Sequence, residues 1–100
     1  MSARSSIRRV VNRRARYALL QGDCLKVMAD VPDGVVDLIL CDLPYGMTDC
    51  AWDKRLPFEV LWWHYGRIIR PAGAVVLTGS QPFTTRLAAS KIKWLKCEWI

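Results

Sequence analysis

The stretch that decides the fold is Val35-Val36-Asp37-Leu38-Ile39-Leu40-Cys41, which runs directly into Asp42-Leu43-Pro44-Tyr45-Gly46. A near-continuous apolar run of this length predicts a β-strand that is covered on both faces, as in a parallel sheet. The run stops abruptly because proline and glycine follow it, and both favour turns. We therefore expect a buried strand that delivers Asp42 to the edge of a sheet.

The segments on either side of this run alternate between strand and helix patterns. Upstream, the sequence predicts a short strand at residues 17–20 and a short helix at 24–31. Downstream, it predicts a helix at 57–69, a strand at 74–77, a helix at 82–90 and a further strand at 93–100. This strand-helix-strand-helix-strand order predicts an α/β fold with a mostly parallel sheet.

Ligands of such sheets bind beyond the carboxyl ends of the strands, which draws attention to the loop after residue 41. The Asp42 carboxylate can accept a hydrogen bond from an exocyclic amine. Pro44 stiffens the turn and has no N–H of its own, and Tyr45 offers a flat ring on which a base can stack. Taken without its context, Asp42 also fits a turn-forming residue that caps the loop.

The loop resembles the Asp-Pro-Pro-Tyr hallmark of the S-adenosylmethionine-dependent DNA amino methyltransferases, with Leu43 in place of the first proline. Further segments are similar to bacterial and phage adenine methylases of this family, and the resemblance spans residues 17–100. These segments are residues 20–25, 31–39, 45–48, 52–53, 67–73 and 79–84.

The resemblance implies transfer of a methyl group from S-adenosylmethionine to the exocyclic amine of adenine in double-stranded DNA. Asp42 would accept a hydrogen bond from that amine, with the backbone carbonyl of Leu43 or Pro44 as the second acceptor. Tyr45 would stack on a flipped adenine, because the amine cannot be reached inside the duplex. Asp23 matches the family position near the adenine end of the cofactor, and it equally fits an N-cap of the next helix.

The family also carries a glycine-rich cofactor loop, Phe-x-Gly-x-Gly, for which this sequence has no counterpart. The resemblance therefore implies a partial Rossmann-like methyltransferase sheet that is incomplete without a C-terminal half. In such a sheet the strands at 17–20 and 35–41 lack their central neighbours, and open strand edges promote association. We expect the chain alone to bind S-adenosylmethionine weakly or not at all, and to transfer no methyl group.

The formal net charge of +6 is confined to a basic arm at residues 1–16, whereas residues 17–100 are balanced and form the catalytic-loop part of the domain. The arm fits a contact with DNA phosphates, a mitochondrial transit peptide or a neutral extension. It contains no acidic residue and six arginines: Arg4, Arg8, Arg9, Arg13, Arg14 and Arg16.

Composition excludes several other classes of protein. No apolar stretch reaches the ~20 residues of a membrane helix, and four cysteines without a Cys-x-x-Cys pair predict neither a zinc site nor a disulfide framework. We expect inert thiols in the reducing cytoplasm of a bacterial or phage-infected cell, and His64 on a helix surface. Two alternative functions stay open: a non-catalytic DNA-binding remnant, and a methyltransferase domain for RNA or protein amines. A partner restriction nuclease is also compatible with the resemblance.

Overall fold

A computed structural model describes residues 1–46 and 56–99, and these residues form a small α/β domain. Strands β1 and β2 pair in parallel to make a two-stranded sheet. The elements follow one another as α1 (Ala3–Val11), α2 (Cys24–Met28), β1 (Val36–Cys41), α3 (Phe58–Ile68), β2 (Ile69–Leu77), α4 (Phe83–Ser90) and a 3-10 helix (Ile92–Trp94). The α/β class and the parallel pairing are as predicted. The family-like segments at 47–48 and 52–53, the Cys50 thiol and Ile100 lie outside the described residues.

One face of the sheet packs against α3 and α4. Ile39 and Cys41 of β1 lie on this face with Val75 and Leu77 of β2, since these residues are register partners. They contact a core cluster drawn from the loop after β1 and from both helices. The buried members of that cluster are Leu43, Leu61, Tyr65, Phe83 and Leu87. The core therefore lies directly beneath the carboxyl ends of the two strands.

The opposite face of the sheet is bare in the part of the chain that the structure describes. Leu38 is 55% exposed and Leu40 is 72% exposed, although both belong to the central apolar run. Their register partners on β2 are Ala74 and Val76, and Val76 is 41% exposed. The prediction that this strand is covered on both faces is therefore wrong for the described residues, because no second layer packs on that side.

The strands predicted at 17–20 and 93–100 do not form. Residues 17–20 have no regular structure, and Tyr17 and Leu19 are 74% and 89% exposed. Residues 92–94 form the 3-10 helix instead, and 95–99 are irregular. A strand exists only where a neighbour satisfies its backbone groups, and among residues 1–46 and 56–99 the sheet contains only β1 and β2. Both predictions were wrong because an apolar segment forms a strand only where a neighbouring strand is available to pair with it.

Helix α3 presents a continuous buried face that includes a histidine. Leu61, His64, Tyr65 and Ile68 repeat at three- and four-residue spacing and are all buried. The expected surface position of His64 is therefore wrong: its side chain lies on the core side of the helix, with its Nδ1 atom 3.5 Å from the Arg67 guanidinium. Because helical periodicity places residue 64 on the same face of α3 as residues 61 and 68, its side chain is buried with theirs although it is polar.

Strand β2 begins directly at the end of α3, five residues earlier than predicted. It runs through Pro71 and Gly73, which were expected to separate helix from strand. The register is irregular there, because Val36 pairs with Ile69 and Leu38 with Ala74. A bulge of this kind accommodates a proline that cannot donate to the ladder.

Arg67 fastens α3 to the turn that precedes β1. Its guanidinium donates hydrogen bonds to the carbonyl oxygens of Met28 at 2.7 Å and Val31 at 2.6 Å, and to the carboxylate of Asp33 at 2.8 Å. The backbone carbonyl of Arg67 accepts a hydrogen bond from Gly34 N at 2.9 Å. The Arg67 side chain thus holds residues 28–33, the segment that leads into β1, against α3.

The basic arm forms α1, which is capped at its start by the Ser2 hydroxyl. Ile7 is buried, and Arg4 pairs with Asp30 at 3.2 Å, so the helix contacts the turn between α2 and β1. A groove between α1 and this turn is lined on the turn side by Ala29, Asp30, Val31 and Pro32. Within the described ranges, no helix has the length and apolar character needed to cross a bilayer.

Candidate functional site

The carboxyl ends of β1 and β2 bring the predicted loop next to a residue from the second strand. Cys41 is the register partner of Leu77, so the residues that follow them, Asp42 and Thr78, emerge side by side. The backbone N–H of Thr78 donates to the carbonyl oxygen of Cys41 at 3.3 Å, which extends the parallel pairing to this point. The predicted location of Asp42 at the end of a strand is confirmed.

Three side chains form a hydrogen-bonded group here, which we call the strand-end cluster: Asp42, Tyr45 and Thr78. The hydroxyl of Thr78 donates to Oδ1 of Asp42 at 2.5 Å. The Tyr45 hydroxyl lies 2.8 Å from Oγ1 of Thr78 and 3.2 Å from Oδ1 of Asp42, so its single proton can serve either oxygen. Two hydroxyls therefore orient one carboxylate oxygen.

The other carboxylate oxygen of Asp42 is not engaged by the described part of the chain. Asp42 is exposed, and its Oδ2 atom accepts no hydrogen bond from residues 1–46 or 56–99. In the same ranges, the backbone carbonyls of Leu43 and Pro44 accept none either. The loop thus presents oriented acceptors, which is the arrangement that an amino group requires.

Leu43, which stands where the resembled Asp-Pro-Pro-Tyr motif has its first proline, anchors this loop. Its side chain is 4% exposed and belongs to the core cluster beside Leu61 and Phe83. A buried leucine holds the turn by packing, where a proline would hold it by restricting the backbone. A backbone carbonyl does not depend on the side chain of its residue, so Leu43 carries the same acceptor oxygen that a proline would carry at this position.

The ring of Tyr45 is packed against the core rather than extended away from it. Its centroid lies 4.8 Å from that of Phe83, with an angle of 30° between the ring planes. Phe83 therefore covers part of the ring, while the hydroxyl contacts Asp42 and Thr78. The observed contacts of Tyr45 orient Asp42, and stacking of Tyr45 on a base stays a prediction.

Asp23 is the N-cap of α2. Its Oδ1 atom accepts a hydrogen bond from Leu25 N at 3.0 Å, so of the two roles suggested by the sequence, the helix N-cap is the one that is observed. Burial raises the pKa of the neighbouring Cys24 thiol, and the nearby Cys41 thiol and Asp23 carboxylate add to that rise. Leu25 and Met28 of α2 pack against the same core cluster as Cys41, which immediately precedes Asp42.

A buried phenol supports the sheet beneath the loop. Tyr65 is 3% exposed. Burial raises the pKa of Tyr65 well above its usual range, and the contact with Cys41 adds to that rise. Tyr65 is therefore a neutral core residue at physiological pH.

The segment Gly79-Ser80-Gln81 turns the chain from β2 into α4. Gln81 Oε1 accepts hydrogen bonds from the backbone N–H of Thr85 at 3.2 Å and from its hydroxyl at 2.8 Å. The side chain of Gln81 thereby caps the first turn of the helix. A β-carbon at Gly79 would lie 2.5 Å from Oγ1 of Thr84, so this glycine permits a close approach of strand and helix.

Sequence reasoning missed Thr78, although a signal for it existed. Thr78 follows an apolar strand just as Asp42 does, and parallel strands place such residues at one edge. The hydrogen bond between its hydroxyl and Asp42 could not be predicted, because it depends on the register between β1 and β2. Among the described residues, no group of three or more histidine, cysteine or acidic side chains is arranged to hold a metal ion.

Comparison with known proteins does not assign this chain to a family. No protein-family model matches the chain, and no solved structure matches it.

Proposed function

We propose that this chain carries the amine-binding loop of an S-adenosylmethionine-dependent DNA adenine methyltransferase, within a partial Rossmann-like sheet. The observation that carries the proposal is the strand-end cluster. Thr78 and Tyr45 contact one oxygen of Asp42, and the other accepts no hydrogen bond from residues 1–46 or 56–99. An acceptor pre-oriented in this way binds an N–H donor without the cost of ordering the carboxylate.

The acceptors match the chemistry of an adenine amine. The exocyclic nitrogen has two N–H bonds, and Asp42 Oδ2 with the carbonyl of Leu43 or Pro44 can accept both. Hydrogen bonds of this kind fix the amine and direct its lone pair toward an incoming methyl group. The contribution assigned to these residues is capture and orientation of the acceptor, which lowers the barrier by positioning.

S-adenosylmethionine would supply the methyl group, and the described residues fit only a small part of it. Asp23 is the single family-matching residue for its adenosine portion, and one of its carboxylate oxygens already caps α2. The sequence contains no Phe-x-Gly-x-Gly segment of the kind that holds the methionine portion of the cofactor in the resembled family. We therefore keep the prediction that the chain alone transfers no methyl group, and the bare face of the sheet at Leu38 and Leu40 supports it.

Adenosine and purine riboside, which differ only by the exocyclic amine, test this function on the chain itself. We expect adenosine at millimolar concentration to shift the NMR signals of residues 42–46. Purine riboside should bind at least about tenfold more weakly, because a site built for N–H donors loses its partners. Asp42→Ala should remove the difference between the two nucleosides.

The control variant Asp37→Ala removes a carboxylate from β1, the strand that precedes Asp42. This carboxylate pairs with Arg70 and lies outside the strand-end cluster. It should keep the preference for adenosine. Equal binding of both nucleosides would contradict the proposal, as would an adenosine response located away from residues 42–46. A stronger response to cytidine than to adenosine would redirect the site to cytosine amines.

A further inference from the structure

We infer that the arginines of residues 8–16 form a binding surface for the phosphate backbone of duplex nucleic acid, held in place by the docked α1 helix. This surface is distinct from the strand-end cluster, and its test does not depend on methyl transfer. It consists of Arg8, Arg9, Arg13, Arg14 and Arg16, which are all exposed.

The first support is that these five guanidinium groups have no acidic partner among the described residues. In residues 1–46 and 56–99, the ion pairs formed by arginine join Arg4 to Asp30, Arg67 to Asp33 and Arg70 to Asp37. Within those ranges, Arg4 is the one arginine of the arm that pairs with a carboxylate. Five uncompensated positive charges within nine residues attract a polyanion strongly.

The second support is that the arm has a defined shape. Helix α1 ends in a reversed turn, in which Arg14 N donates to Arg9 O at 2.8 Å and Arg13 N donates to Val10 O at 3.0 Å. Arg13 adopts a positive φ of 59° at this turn. The pattern is that of a Schellman helix end, so the arginines on both sides of it are presented from a fixed backbone.

The apolar side of α1 decides between nucleic acid and membrane. A helix that binds a bilayer surface must insert an apolar face among the lipids. Here Ile7 is buried against the rest of the chain and Val10 is half-buried, so Val11, which is 40% exposed, is the one large apolar side chain that α1 leaves exposed. What α1 offers to a partner is charge, and guanidinium groups bind phosphate oxygens in bidentate geometry.

The position of α1 separates this surface from the amine-binding loop. Its contacts with Asp30 and with the turn at residues 29–32 lie before β1, whereas Asp42 follows β1. A six-residue strand is about 20 Å long, which corresponds to about six base-pair steps along a duplex. The arginines should therefore contribute affinity without sensing the base that contacts Asp42.

The test is fluorescence anisotropy of a labelled 30-base-pair duplex with the full chain between 50 and 200 mM KCl. If all five arginines contact phosphates, the salt slope is about −4.5 and affinity falls about 500-fold over this range. The triple variant Arg9→Gln, Arg13→Gln, Arg14→Gln should reduce that fall to about 12-fold. Circular dichroism checks that the variant stays folded.

The matched control removes the same number of charges from exposed residues elsewhere, through Arg86→Gln, Lys93→Gln and Lys96→Gln. It should keep the slope of the unmodified chain. Equal loss in both triple variants would overturn the inference, as would absence of duplex binding at 50 mM KCl. Arginine-dependent binding to vesicles of 70% phosphatidylcholine and 30% phosphatidylserine, without duplex binding, would assign the surface to membranes instead. The nucleoside comparison at residues 42–46 is a separate measurement, so either proposal can fail without the other.

Discussion

Thr78 donates a hydrogen bond to Asp42, and the two residues follow different strands of the parallel pair. The contact exists because Cys41 and Leu77 are register partners, which places the next residue of each strand at the same edge. Tyr45 completes the group from the loop itself. The orientation of the proposed acceptor therefore depends on a residue 36 positions away in the sequence.

Removing the Thr78 hydroxyl should weaken capture of the amine. Thr78→Val keeps the shape of the side chain and deletes the donor, so Asp42 loses one of the two groups that orient it. We expect adenosine to bind about fivefold more weakly, which corresponds to a hydrogen bond worth about 1 kcal/mol. Thr78→Ser retains a hydroxyl and should bind like the unmodified chain. Weaker binding by Thr78→Ser with unchanged binding by Thr78→Val would show that the methyl group, and not the hydroxyl, matters.

Arg67 should be far more important for stability than its neighbour Arg70. Arg67 donates to two carbonyl oxygens and to Asp33 from a largely buried position. A lysine cannot reproduce that fork, so Arg67→Lys should lower the free energy of unfolding by about 2–3 kcal/mol. The exposed pair of Arg70 with Asp37 makes Arg70→Lys a control that costs about 1 kcal/mol or less. Urea unfolding followed by tryptophan fluorescence measures both, and similar losses would contradict the structure.

Two glycines should respond in opposite directions to alanine. A β-carbon at Gly73 would lie 2.5 Å from Ile69 Cγ1 and 3.0 Å from the carbonyl oxygen of Asp37, so Gly73→Ala should destabilise the chain by about 1–3 kcal/mol. At Gly66, inside α3, the nearest atom would be a Trp94 carbon at 3.6 Å. Gly66→Ala should therefore stabilise the chain by up to about 1 kcal/mol through helix propensity. Thermal unfolding of the two variants gives the sign directly.

The raised pKa of Tyr65 predicts a loss of stability at alkaline pH. The folded state holds the phenol proton to higher pH than the unfolded chain, whose tyrosine titrates near 10. Stability from this group is therefore complete below pH 10 and falls above it, by at most about 1.4 kcal/mol per pH unit. Urea unfolding between pH 9 and 11 should show a shallower decline for Tyr65→Phe. The exposed Tyr17 provides the control, since Tyr17→Phe should leave the decline unchanged.

The sequence was informative wherever a pattern depends on local periodicity. The strand predicted at 35–41 and the helix at 82–90 agree with β1 and α4 to within one residue. The location of Asp42 beyond the end of a strand follows from the same apolar run. These features depend only on the order of polar and apolar residues along the sequence.

Features that depend on distant partners were not predictable in this way. Residues 17–20 are as apolar as a strand requires, yet no neighbour pairs with them. Leu38 and Leu40 are exposed because a second layer is absent from the described residues, which no local pattern reveals. The Thr78–Asp42 contact depends on strand register, and the burial of His64 depends on which face of α3 meets the core.

The binding of adenosine and purine riboside is the decisive measurement for the proposed amine-binding loop. NMR titrations give both affinities for the unmodified chain and for the Asp42→Ala variant. We expect adenosine to bind at least about tenfold more tightly than purine riboside, with shifted signals at residues 42–46, and we expect no difference between the two nucleosides after Asp42→Ala. Equal affinities for the unmodified chain, or a preference for adenosine that persists in the Asp42→Ala variant, would contradict the proposal.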